Sequence, residues 1–127
     1  MKKAFWILAG AFLLIGCSHQ TEYVNDLTGR WYIYKITRDN VDQTHLVGDS
    51  FQNYSITYTA DGKYLEMNPQ GADSNIRTGT WAFQNSYGQL VMTDTGNVAT
   101  TYTIFNLTGN HVELLKDKED RYLRKFQ

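Results

Sequence analysis

The sequence predicts an all-β protein built as an antiparallel up-and-down barrel of eight strands. Three observations predict it. From Leu27 onward, no segment holds a 3.6-residue apolar period over twelve or more residues. Short runs rich in Tyr, Thr, Val, Ile and Trp are separated instead by Gly, Asn and Asp clusters. The separations are too short for crossover helices, so consecutive runs must pair antiparallel. Eight such runs in about 100 residues can close on themselves and remove exposed edges. An open two-sheet sandwich is the alternative.

The runs follow in order. Gly29 to Arg38 is the first, and the polar stretch Asp39 to Asp49 after it is expected to hold a lid or a short helix. Phe51 to Thr59 is the second and ends at Asp61-Gly62, a hairpin signal because both residues tolerate positive φ. Lys63 to Asn68 is the third, and Pro69-Gln70-Gly71 opens a loop to Ser74. Asn75 to Gln84 turns at Ser86-Tyr87-Gly88, and Gln89 to Thr93 turns through Asp94-Thr95-Gly96-Asn97. Val98 to Leu107, His111 to Lys116 and Asp120 to Phe126 complete the set, with turns at Gly109-Asn110 and Asp117 to Glu119. Gly29-Arg30-Trp31 and Gly79-Thr80-Trp81 share a G-x-W pattern, too short to define a repeat.

The segment before these runs has a different character. Lys2 and Lys3 precede a charge-free stretch from Ala4 to Ile15. That stretch is too short for a membrane-spanning helix, which needs ~20 residues, and it suits a signal-peptide core. Leu14-Ile15-Gly16-Cys17 resembles the lipobox of bacterial lipoproteins. The resemblance implies cleavage before Cys17, acylation of its thiol and amino group, and anchoring in a membrane; each buried lipid CH₂ contributes ~0.8 kcal/mol. The expected organisation is therefore a signal peptide over 1–16, a lipidated tether over 17–26 and a barrel domain over 27–127. Ser18 in place of Asp implies sorting to the outer membrane of a bacterial envelope.

Composition closes off other classes. One Cys among 127 residues excludes an internal disulfide and a multi-cysteine zinc site. The net charge is −1, and it becomes −3 once Lys2 and Lys3 are removed, which disfavours nucleic-acid binding. His19, His45 and His111 have no metal-ligand spacing, and neither a G-x-S-x-G elbow nor a calcium-loop pattern is present. No catalytic residues, metal or cofactor are therefore assigned.

Leu27-Thr28-Gly29-Arg30-Trp31 resembles the first motif of lipocalins, and Tyr58 to Tyr64 is similar to the F-x-x-D-G-x-Y hairpin of small bacterial lipocalin-like lipoproteins. Gly79-Thr80-Trp81 and Tyr102 to Leu107 match their habitual strands, so the resemblance runs over residues 27–126. The T-D-Y motif of the later loops and a long C-terminal helix are absent. The resemblance implies that Gly29 and Trp31 form the closed end of the barrel. It further implies that a basic residue of the last strand packs on Trp31, with Arg124 as candidate and Arg121 as runner-up. It also implies non-covalent binding of a small apolar or amphipathic ligand in the mouth, where Tyr64, Trp81 and Tyr102 are the candidate lining.

Alternation sets further expectations. Trp31 and Ile33 share one parity and are expected inside, as are Trp81 with Phe83, Tyr102 with Ile104, and Val112 with Leu114. Tyr32, Tyr34 and Ile36 then form an outer apolar stripe, covered by the 39–49 loop or left for an envelope partner or membrane. Such a short barrel can also be filled solid and act through its surface, as an interaction module or an enzyme inhibitor. An enclosed volume above ~300 Å³ separates a ligand binder from a solid barrel.

Overall fold

The computed structural model describes residues 21–49, 53–67 and 76–126. The expected signal peptide over 1–16, Cys17 and the start of the expected tether lie outside the described residues, as does the expected Pro69–Ser74 loop. Residues 21–27 form a helix, α1. The strands are β1 (Gly29–Arg38), β2 (Val41–Asp42), β3 (Ser55–Tyr58), β4 (Lys63–Met67) and β5 (Ile76–Gln84), followed by β6 (Gln89–Asp94), β7 (Ala99–Phe105), β8 (His111–Lys116) and β9 (Glu119–Lys125). A short helix, α2 (His45–Asp49), lies between β2 and β3.

Strands β1 and β3 to β9 pair antiparallel in chain order, and β9 pairs back onto β1. The sheet is therefore a closed eight-stranded barrel, and the sandwich alternative is excluded. β2 is a two-residue extension on the end of β1. Local chemistry makes the turns. Asp117 and Lys118 both have positive φ, 51° and 68°, as a two-residue hairpin of the twist-compatible type requires. Asp94 Oδ1 accepts the backbone N–H groups of Gly96 and Val98, which folds the β6–β7 turn.

The barrel has two distinct ends. The turns 59–62, 85–88 and 106–110 and the start of β1 lie at one end, and α1 crosses it. Leu27 is fully buried there, Val24 packs on the core, and Tyr23 stacks on Tyr87 at 4.5 Å. Residues 21–26 look polar enough for a tether, yet they are helical, because Val24 and Leu27 together present an apolar face to the barrel floor. The other end holds the 39–49 segment and the β6–β7 and β8–β9 turns.

One expectation about β1 is corrected. Its pairing with β9 shifts between Ile33 and Lys35, so one extra residue is accommodated. Trp31 and Ile33 face inward, and the bulge returns Ile36 to the interior, where it is fully buried. The outer stripe is therefore Tyr32 and Tyr34 without Ile36. The 39–49 segment does not cover it. Gln43 N–H bonds to the Ile36 carbonyl at 2.8 Å, and Leu46 and Val47 pack against the core at the open rim.

Candidate functional site: the mouth of the barrel

Strand alternation decides what reaches the open mouth. On β4, Tyr64 and Glu66 point inward while Lys63, Leu65 and Met67 point out. The β6, β7 and β9 strands add Met92, Tyr102 and Arg121, and Arg77, Lys116 and Asp94 stand around the rim. Together these residues line a cavity of about 170 Å³. Beneath it the interior is filled: the space between Tyr54, Tyr58, Met92 and Leu123 is only about 10 Å³.

Gly79 permits this arrangement. A Cβ there would lie 2.0 Å from the Thr93 carbonyl oxygen and 2.8 Å from Tyr64 Cε1. The Tyr64 ring thus lies on bare backbone where β5 and β6 approach, and it is 4% exposed.

The charges in the mouth are organised around two carboxylates. Glu66 is buried; its Oε2 accepts the Tyr54 hydroxyl at 2.8 Å, and its Oε1 stands 3.7 Å from Arg77 Nη1. Glu119 receives Arg121 Nε at 2.9 Å on one oxygen and Arg38 Nε at 2.7 Å on the other. Burial alone would raise the Glu119 pKa, but these two guanidinium groups outweigh it and leave the carboxyl below its ordinary value. Burial raises the pKa of Tyr64 and Tyr102 above the usual tyrosine value. Both phenols are therefore neutral at physiological pH and can donate a hydrogen bond.

Of the candidate ligand residues, the structure brings Tyr64 and Tyr102 together and sets Trp81 apart. Trp81 belongs to the closed half, where its Nε1 donates to the Thr59 carbonyl at 3.0 Å and its ring meets Tyr58 and Phe83 edge to face. Residue β5 parity is correct for Trp81, but the stagger of the strands puts it below the filled middle. The pocket is also not the apolar one expected. Arg77, Lys116, Arg121, Glu66 and Asp94 dominate its wall, and Met92 and Val98 supply the apolar part.

The Arg124 assignment is corrected as well. Leu123 is buried, so alternation turns Arg124 outward and Lys125 inward. Lys125 Nζ stands 5.0 Å from the Trp31 ring and donates to the Asp26 carbonyl at 3.0 Å, at the end of α1. Trp31 Nε1 donates to the Leu27 carbonyl at 2.8 Å, so cation, indole and helix end form one unit. Gly29 has φ 138°, and a Cβ there would press on the Lys125 chain at 3.0 Å. Arg124 instead lies 4.2 Å over Tyr34 on the outer face. The runner-up, Arg121, has the inward parity of Lys125 but sits at the opposite end. Alternation from Leu123 is the signal in the sequence that points to Lys125.

The outer face of β1, β8 and β9 is covered by its own side chains. Arg30 lies over Phe126 at 4.5 Å, Lys35 over Tyr122 at 5.0 Å, and the Tyr34 hydroxyl bonds His111 Nε2 at 2.7 Å. Among the described residues there is no group of His, Cys, Asp and Glu that could hold a metal ion. No described helix is long and apolar enough to cross a membrane.

The comparisons with known proteins agree with this architecture. The profile of a family described as a lipocalin-like domain matches residues 27–114. A lipocalin-like protein from Bacteroides uniformis superposes with a TM-score of 0.63 at 11% identity, over 80% of this chain and 99% of that one. An uncharacterized protein from Bacteroides eggerthii gives a TM-score of 0.60 at 13% identity, over 79% and 99%. A further B. uniformis protein, solved by NMR, gives 0.55 at 19% identity, over 82% and 92%. No protein of curated function matches the sequence.

Proposed function

Because the chain belongs to the lipocalin-like domain family, we propose that it is a lipid-anchored, exported protein that holds one small amphipathic molecule non-covalently in its barrel mouth. The observation that carries this reading is the cavity of about 170 Å³ at the open end, with Tyr64 and Tyr102 in its wall. The filled interior beneath it supports a short ligand, not a long acyl chain. Binding would draw on burial of a small apolar body against Met92 and Val98 and on polar contacts that fix its orientation. The role requires no bond chemistry, and we assign none.

Anchoring would place the domain on a membrane through Cys17, with the outer membrane of a bacterial envelope as its site. Two measurements test the reading. Native mass spectrometry of the protein purified from its own cells is expected to reveal a bound small molecule, and its absence from every preparation counts against ligand binding. Incorporation of labelled palmitate is expected in the wild type and not in Cys17→Ser; equal labelling would remove the anchor.

A second reading is favoured by one observation. The mouth cavity is smaller than the ~300 Å³ at the lower end of ordinary ligand sites. The barrel would then act through its surface on an envelope protein. The outer groove lined by Tyr32, His111, Arg124 and Phe126 is the face it would use. Arg124→Glu should abolish such binding and leave ligand binding in the mouth intact.

A further inference from the structure

We propose that the group received in the mouth is a small organic monocarboxylate, held by Arg77, Lys116 and Arg121 and by the hydroxyls of Tyr64 and Tyr102. This deepens the binding role proposed above and rests on it.

The cavity wall carries three cations and two carboxylates in a protein that is otherwise acidic. Both carboxylates are already engaged by the protein. Asp94 Oδ1 takes the N–H groups of Gly96 and Val98 at 2.9 and 3.0 Å. Glu66 takes the Tyr54 hydroxyl on one oxygen and faces Arg77 with the other. The remaining polar character of the wall is that of donors. Tyr64 is 4% exposed, yet neither its hydroxyl nor that of Tyr102 makes a hydrogen bond among the described residues. Lys116 likewise has no carboxylate partner among the described residues. A wall of donors with positive excess selects an acceptor that carries negative charge.

Four features narrow the class. With Glu119 and its second partner Arg38, which meet Arg121 behind the wall, the mouth holds four cations and three carboxylates. This excess of a single positive unit compensates a monoanion, and a dianion would bring a second, unpaired charge into a confined site. Met92 and Val98 offer a small apolar patch, which gives room for a short hydrocarbon body on the anion. The volume corresponds to the share of roughly five or six water molecules at ~30 Å³ each, enough for a carboxylate on a few carbons. Guanidinium groups suit the planar carboxylate because their paired N–H groups match its two oxygens.

The test is a titration of the purified full chain with probes of equal length and different head groups, read by calorimetry and by the ring signals of Tyr64 and Tyr102 in NMR spectra. The probes are hexanoate, hexanol, hexylammonium and inorganic phosphate. Hexanoate is expected to shift both rings and to bind at least ~10-fold more tightly than the other three, as a charge-assisted contact requires. The double variant Arg77→Gln/Lys116→Gln, at exposed side chains that do not support the core, should lower hexanoate affinity at least ~10-fold and leave hexanol unchanged. Glu66→Gln should raise hexanoate affinity, because it removes the carboxylate that competes for Arg77. Equal binding of hexanol, or tighter binding of hexylammonium, overturns the carboxylate assignment and leaves mouth binding standing. Phosphate binding as tightly as hexanoate overturns the organic monoanion. Unchanged hexanoate affinity in the double variant overturns the role of those cations. Failure of every probe to move either ring removes the mouth-binding role itself.

Discussion

At the closed end Trp81 meets Tyr58 and Phe83 ring edge to ring face, and Trp31 lies under α1 with its indole N–H on a carbonyl. At the open end Glu66 meets Arg77, and Glu119 meets Arg121 and Arg38. At the closed end the indole N–H groups of Trp31 and Trp81 are both answered by backbone carbonyls, and the rings pack on one another. The open end holds ions that stay hydrated or paired, and it keeps a cavity because such groups cannot pack as densely as rings. The same eight strands thus supply stability at one end and a receptive surface at the other.

The largest test of this contrast is Trp31→Ala. It removes a fully buried indole and its bond to Leu27, and should cost about 3–5 kcal/mol in denaturant unfolding. A loss under about 1 kcal/mol would show that the closed end is not the stabilising one. Gly79→Ala should cost roughly 3 kcal/mol, because the new Cβ meets the Thr93 carbonyl, a backbone atom that cannot swing away. It should also displace Tyr64, so this is the one position where stability and mouth geometry change together. A normal melting temperature with an unshifted Tyr64 ring signal would contradict the close approach of β5 and β6.

Lys125→Ala and Arg124→Ala sharpen the comparison through adjacent residues. Lys125→Ala loses the Trp31 contact and the bond to the Asp26 carbonyl, about 2 kcal/mol in all. Arg124→Ala loses an exposed contact with Tyr34, under about 1 kcal/mol. Thermal melts giving the reverse order would restore Arg124 as the residue on Trp31.

The smallest effect is pH-dependent and belongs to the open end. The Glu119 pKa is depressed in the folded protein, so the folded state holds its proton less tightly than the unfolded state does. Its contribution is present above the ordinary glutamate value of about 4.5 and is lost as pH falls through the lower folded pKa. Glu119→Gln should therefore cost about 1 kcal/mol at neutral pH and flatten the acid limb of the stability curve. Glu113 has the opposite sign: burial and its contact with Asp120 raise its pKa. Its contribution is full below about 4.5 and is lost as pH rises through the higher folded value. An identical acid limb in wild type and Glu119→Gln would remove the Glu119 pairing from the account.

Much of the fold was legible because its signals are local. Asp61-Gly62 and the polar pair Asp117-Lys118 mark hairpins whatever the partner strand. Tyr64 and Glu66 alternate with Lys63 and Leu65, which is enough to define one face of β4. The site was less legible. Tyr64 and Tyr102 could be chosen from parity, but Trp81 has the same parity and lies at the other end. Parity states the face of a strand and not the height along the barrel. Height depends on the stagger between strands, which pairs Tyr64 with Gly79 and Gly79 with Asp94.

The sequence by itself determined that this chain forms short antiparallel strands, where most of them turn, and which residues alternate on the two faces of an unbroken strand. Those outcomes follow from φ preferences and from a side-chain period of two, both properties of neighbouring residues. Only the tertiary structure decided that Ile36 turns inward, that Lys125 and not Arg124 covers Trp31, and that Arg121 faces a charged mouth. Each depends on the pairing of β9 with β1, strands separated by almost the whole domain. The bulge between Ile33 and Lys35 exists because the β1–β9 pairing must continue on both sides of it. The stagger that closes the barrel then carries Arg121 to one end and Lys125 to the other.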